Sequence, residues 1–160
     1  MNEPNDISNN LLLRTTNSIF THINGTSYAS NISGKLHYNN DYSGSGPYPS
    51  LHRIEEIVIG SGITELDVYC FEMTTNLGTE LTTVDFTNAT GLKIIRNYSF
   101  KDCSKLISID FTNTTALESI RSYAFKDCSQ LQSVIFGSSN VALSNYIFQG
   151  CNNLSNIQSK

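Results

Sequence analysis

Leu106-Ile-Ser-Ile-Asp-Phe-Thr-Asn-Thr-Thr-Ala-Leu-Glu-Ser-Ile-Arg-Ser-Tyr-Ala-Phe-Lys-Asp-Cys-Ser-Gln130 is the middle one of three versions of the same 25-residue unit. The copy before it starts at Leu81 and the copy after it at Leu131; Leu154 opens a shorter fourth. Three landmarks hold their phase: Phe100, Phe125 and Phe148; Cys103, Cys128 and Cys151; Tyr98, Tyr123 and Tyr146. A period of about 20–50 residues is the mark of stacked supersecondary units that bury a shared core. It argues against a globular enzyme core and turns attention to binding.

Within the unit, Ser108-Ile-Asp-Phe111 alternates as a strand does, with Ile109 and Phe111 inward. Asn113-Thr-Thr turns the chain, and Leu117 and Ile120 start a return leg. Tyr123-Ala-Phe-Lys-Asp-Cys128 is compact enough for one helical or 3₁₀ turn. Ser99 and Ala124 are small, as a position facing the next coil would require. Coils stacked at strand spacing, about 4.8 Å, turn the Phe, Tyr and Cys landmarks into columns, all expected to face the interior.

A divergent copy occupies Ile54 to about Glu80. Ile54, Ile57 and Ile59 match Leu81, Val84 and Phe86, and Leu66, Tyr69 and Phe71 match Ile95, Tyr98 and Phe100. Its extra residues fall around Met73 to Thr79, the place for a surface loop. Residues 1–53 are different: rich in Asn, Ser, Gly and Tyr, and ending in a Gly/Pro turn signature at 42–49. Ser18–Ile23 and Gly34–Tyr38 read as short strands, with an Asn24-Gly25 turn signal after the first. The chain thus divides into an N-terminal cap and linker, 1–53, and a solenoid, 54–160. Leu154 to Ile157 opens a strand with no recognisable cap after it. A truncated fragment, a short improvised cap or a covering partner would each account for that, the last through self-association at the edge.

The run Cys103-Ser-Lys-Leu106, Ile109, Phe111, Leu117, Ile120, Tyr123-Ala-Phe125-Lys-Asp-Cys128 resembles the BspA-like, or Treponema-type, leucine-rich repeat over roughly residues 54–157. The chain departs from that pattern in Phe-Thr-Asn after the strand, where Leu-Pro is usual, and in Arg96 and Arg121, where Gly is usual. The resemblance implies a short α/β solenoid with parallel strands on a concave side and helical or 3₁₀ turns on a convex side. It also implies surface proteins that bind host, matrix or cell partners, at the cell surface or outside it, with no catalytic residues.

Charge and composition narrow the partners. A net charge of −4 and no run of Lys and Arg argue against nucleic acid and anionic membranes. No apolar run is long enough to span a bilayer or to form a signal-peptide core. No nucleophile–base pair, phosphate loop or C-x-x-C metal pair is visible, so no cofactor and no enzyme activity are expected. The column Cys103, Cys128 and Cys151 sits within disulfide reach by coil spacing but reads best as buried thiols, with Cys70 packed at the Ser99 position. His22, His37 and His52 lie beside the cap without a carboxylate motif.

The outward strand positions are the better candidates. Asp85 and Asp110 are equivalent, and Ile135 replaces them in the next copy; Glu56, Thr83, Ser108 and Ser133 form the neighbouring column. Stacked like charges repel, so an acidic column without a use is mildly unfavourable. A weakly acidic, hydroxyl-lined face suits a protein or glycan ligand; a plain solvated face is the alternative. Lys101 and Lys126 stand beside Asp102 and Asp127 and are expected to neutralise them. Six Asn-x-Ser/Thr sequons start at Asn24, Asn31, Asn88, Asn97, Asn113 and Asn153, with Asn88 and Asn113 equivalent on the turn. They are glycosylation acceptors or an asparagine ladder. The expected function is non-enzymatic recognition or adhesion on the concave face, or alternatively a structural subunit joined through its cap and open edge.

Overall fold

The computed structural model describes residues 54–72, 80–137 and 140–160 with their side chains, and the backbone of 18–22, 27–30 and 34–36. His37, His52, the Gly/Pro turn at 42–49, the Met73–Thr79 insertion and the sequons at Asn24 and Asn31 lie outside the described residues.

Twelve strands follow in chain order: β1 Ser18–His22, β2 Ser27–Ser30, β3 Gly34–Leu36, β4 Ile54–Val58, β5 Ile63–Leu66, β6 Thr83–Asp85, β7 Ile94–Ile95, β8 Ser108–Phe111, β9 Ser119–Ile120, β10 Ser133–Phe136, β11 Ala142–Leu143 and β12 Asn156–Ser159. Each repeat supplies two of them. The first strands, β4, β6, β8, β10 and β12, lie in one parallel row, with β8 against β6. The return legs β5, β7, β9 and β11 form a second parallel sheet. The chain is therefore a β-solenoid whose coils are related by the 25-residue step. The 25-residue step keeps the register: Val134 pairs with Ile109 and Ile95 with Ile120. The N-terminal segment extends both sheets. β1 pairs antiparallel with β4, placing Phe20 opposite Ile57, and β2 flanks β1. β3 pairs parallel with β5.

The return leg is a second sheet, which the two apolar residues Leu117 and Ile120 alone did not announce. The convex corner also differs from the expected helical turn. Among the described residues no helix or 3₁₀ segment forms. The reason lies in where the amides go. Phe100 N–H donates to Ala124 of the next coil at 2.7 Å and Asp102 N–H to Lys126 at 2.8 Å; Phe125 and Asp127 repeat this with Ile147 and Gln149. A helix would need those amides for its own carbonyls. The corner is instead a chain of tight turns, such as Arg121 to Ala124, closed at 3.3 Å. Tyr123 at its third position has φ 62°, the sign a type II turn demands there.

Four tyrosines take this conformation, Tyr69, Tyr98, Tyr123 and Tyr146, with φ between 58° and 62°. Left-handed backbone costs an L-residue about 1–2 kcal/mol, and Gly or Asn would adopt it more cheaply. Their rings stack at 5.0, 5.0 and 5.4 Å between centroids and within 10° of parallel. Each such pair returns about 0.5–1.5 kcal/mol beyond the area it buries, which offsets the strain. This column does not face the interior as expected. Tyr69 is 47% and Tyr146 62% exposed, and Tyr98 and Tyr123 are half-buried between them.

The Phe and Cys columns do face inward. Phe71, Phe100 and Phe125 are fully buried, and Phe125 stacks on Phe100 at 5.0 Å and on Phe148 at 5.8 Å. A second column, Phe86, Phe111 and Phe136, rises from the strand ends and meets the first edge-on, Phe111 to Phe125 at 6.3 Å. The small position takes Cys70, Ser99, Ala124 and then Ile147, all buried. Ser99 is tolerated there because its hydroxyl donates to the carbonyls of Arg96 at 2.6 Å and Asp67 at 3.0 Å.

Candidate functional site

The strand row brings the predicted residues together. Glu56 stands beside Thr83, and Ser108, Ser133 and Asn156 continue the column. Val58 stands beside Asp85, and Asp110, Ile135 and Gln158 continue the second column. Thr83, Ser108 and Asp110 are exposed; Glu56, Asp85, Ser133 and Ile135 are half-buried. Asn156 and Gln158 extend the polar strip and were missed by sequence, because only the register of β12 assigns them. Val58 is buried, so the second column is open from Asp85 onward.

The aspartates have a local duty that the sequence reading overlooked. Asp85 Oδ1 accepts the Thr87 N–H at 2.8 Å, and Asp110 Oδ1 accepts the Thr112 N–H at 2.7 Å. These are Asx turns, in which a short carboxylate takes an amide two residues on. The signal was present as Asp-Phe-Thr at both places. Contact with Thr112 holds the Asp110 carboxyl below its ordinary value against the opposing effect of burial, and the Lys160 charge adds to this. The Thr112 hydroxyl is buried without a hydrogen-bond partner, so the N–H bond is the one that fixes the carboxylate. One oxygen of each aspartate is thus committed to the turn.

The change from Asp110 to Ile135 now has a structural counterpart. Gly137 follows Phe136 where Thr112 follows Phe111. A Cβ on Gly137 would lie 2.2 Å from the Thr112 carbonyl oxygen. The third copy loses the carboxylate bond and the threonine together, and glycine lets its turn sit directly on the turn below.

Away from the strand row, several charges are paired. Lys101 bonds Glu72 at 2.6 Å and Asp102 at 3.1 Å, Lys126 reaches Asp127 at 3.4 Å, and Lys105 bonds Glu80 at 2.7 Å. Glu72 first, then Asp102, raises the Lys101 pKa. Arg96 forms a two-pronged pair with Glu65, which raises its pKa and explains why an arginine is accommodated there. Asn88 and Asn113 lie on equivalent turns, where their backbone carbonyls accept from Thr90 and Thr115. Asn113 is exposed.

The cysteines are free and buried. Cys103, Cys128 and Cys151 each donate S–H to the carbonyl of a phenylalanine one coil back: Phe71 at 3.5 Å, Phe100 at 3.2 Å and Phe125 at 3.0 Å. Burial, followed by the Cys103 thiol, pushes the Cys128 thiol up; the Cys128 thiol and then burial push Cys151 well above its ordinary value. The thiolate is the reactive form, so these sulfurs are inert. A thiol-specific reagent added to native protein at pH 8 is expected to label none of the buried four within minutes and all of them in denaturant. A stoichiometric burst in the native state would contradict the packing. Among the described residues no group of His, Cys, Asp and Glu could hold a metal ion, and no helix is long and apolar enough to cross a membrane.

A family model described as BspA type Leucine rich repeat region (6 copies) matches residues 78–160. No curated protein and no solved structure matches the chain.

Proposed function

The chain belongs to the BspA-type leucine-rich repeat family, and from that premise we propose that it is a non-enzymatic recognition module that holds a protein or glycan partner on its outer strand face. The supporting observation is the polar strip that runs from Glu56 and Thr83 on one sheet to Ser108, Ser133 and Asn156 on the adjoining one, flanked by Asp85, Asp110, Ile135 and Gln158. Strands fix these side chains at regular spacing, and a rigid platform loses little freedom on binding. The two aspartates each keep a second oxygen beyond the one that holds the turn. With Ile135 beside them, the face offers acceptors at one end and an apolar contact at the other. A partner carrying amines or hydroxyls next to an apolar group fits it.

Photo-crosslinking tests this directly. A benzoylphenylalanine at Ser108, irradiated in native extract, is expected to give a discrete adduct, and the same probe at the exposed turn residue Thr115 none. Asp85→Asn with Asp110→Asn keeps the amide-accepting oxygen and removes the charge, so it should weaken a cationic partner without loosening the fold. Adducts from Thr115 alone, or none from Ser108, would sink the reading. An adduct between two copies of the chain at cap or edge positions would favour a structural subunit instead.

A further inference from the structure

The exposed tyrosine column is not explained by the strand face. Its four rings form a ladder, Tyr69, Tyr98, Tyr123 and Tyr146, at 5.0, 5.0 and 5.4 Å. Each sits on left-handed backbone that a smaller residue would adopt with less strain. The rings cover one another's faces, so what the ladder offers outward is a row of ring edges and phenol hydroxyls. No described residue bonds any of those four hydroxyls. Beside the ladder runs a second polar row, Asn97, Ser122 and Asn145, each immediately before a tyrosine and at least partly exposed. The neighbouring charges at Lys101 and Lys126 are neutralised by Glu72, Asp102 and Asp127. The surface is thus rich in hydroxyl and amide groups and periodic, with the exposed Arg121 as its one cation outside the ion pairs among the described residues.

We propose that this ladder binds a neutral, extended β-1,4-linked polysaccharide lying along the solenoid axis. Spacing decides among the linear polymers. A β-strand peptide advances about 3.3 Å per residue and about 6.7 Å per two, and neither step matches the ladder. An extended β-1,4-linked hexose chain advances by nearly the ladder spacing per sugar; alternate sugars are turned over, so each tyrosine meets a ring and every second one meets the same edge. An α-1,4-linked chain coils and cannot follow. The phenols donate to and accept from sugar hydroxyls, the amides of Asn97 and Asn145 reach the same chain, and the exposed outer face of Tyr146 gives a sugar ring a stacking surface. Polymers of glucose and of N-acetylglucosamine share this geometry.

The test uses the whole chain against cellohexaose, chitohexaose and maltohexaose, with calorimetry or NMR shifts as the readout. Binding is expected for one or both β-linked oligomers, and the stronger of the two identifies the source; maltohexaose should not bind. Tyr98→Phe with Tyr123→Phe keeps the stack and the backbone and removes two hydroxyls. It should weaken binding by about tenfold or more, with an unchanged melting temperature. Tyr98→Asn with Tyr123→Asn suits the left-handed backbone and should abolish binding. Asp85→Asn with Asp110→Asn, on the other face, should leave it unchanged. Failure of both β-linked oligomers to bind, equal binding of maltohexaose, or full affinity in the Phe variant would each overturn the proposal. Binding that is lost only in the aspartate variant would move the glycan to the strand face.

Discussion

Phe125→Ala is expected to lower the stability of the fold by about 3–5 kcal/mol, read as a shift of the urea midpoint with little change in slope. The ring is fully buried and touches three others: Phe100 at 5.0 Å, Phe148 at 5.8 Å and Phe111 edge-on at 6.3 Å. Backbone bonds from Phe125 to Ile147 and from Phe100 to Ala124 fix the coils on either side, so the walls cannot close on the cavity. Small domains are stable by only about 5–15 kcal/mol, so this single change removes a large share. Phe148→Ala is the comparison: Phe148 is only half-buried, so its loss should be smaller. A Phe125→Ala shift below about 1 kcal/mol would show that the two phenylalanine columns do not form one interlocked core.

Gly137→Ala should destabilise the fold by about 1–3 kcal/mol. Glycine matters there for space. The new methyl would meet the Thr112 carbonyl oxygen at 2.2 Å, its carbon at 2.8 Å and its Cα at 2.9 Å. All three are backbone atoms, so no side chain can swing aside, and β8 and β10 must part locally. Gly91→Ala meets only the Ser61 oxygen closely, at 2.7 Å, and should cost less. Thermal unfolding separates them, since each kcal/mol moves the midpoint by about 2–4 °C in a chain of this size. Equal stability of both variants and the parent would refute the close approach.

The coil register, the buried Phe and Cys columns and the strip of outward strand residues were legible because each depends on one repeat position. The convex corner was not. Whether Tyr123-Ala-Phe-Lys-Asp-Cys128 winds into a helix depends on whether its amides bond within the segment or across to Ile147 and Gln149, a choice set by the next coil. The left-handed tyrosines carry no local signal, since a bulky residue at positive φ is an outlier. That hid the outward turn of the Tyr column. The Asx turns at Asp85 and Asp110 were readable and changed the site most: the residues that looked free to bind are partly engaged in shaping the turn. The antiparallel pairing of β1 with β4 joins segments separated by the unpatterned stretch before Ile54, where periodicity gives no guide.

The direct hydrogen bonds and ring contacts of each coil reach mainly the coil before and the coil after, and the copies at Leu81, Leu106 and Leu131 are spaced alike. Loss or gain of a whole 25-residue block would keep the remaining coils in phase. The ring column would survive it, since Phe100 would meet Phe125 or its equivalent in the next copy. The tyrosine ladder and the polar strip would lengthen or shorten by one rung at a time. The number of rungs can therefore change by whole repeats while the ring stacking is kept, although ion pairs such as Arg96–Glu65 and Lys101–Glu72 belong to one step only.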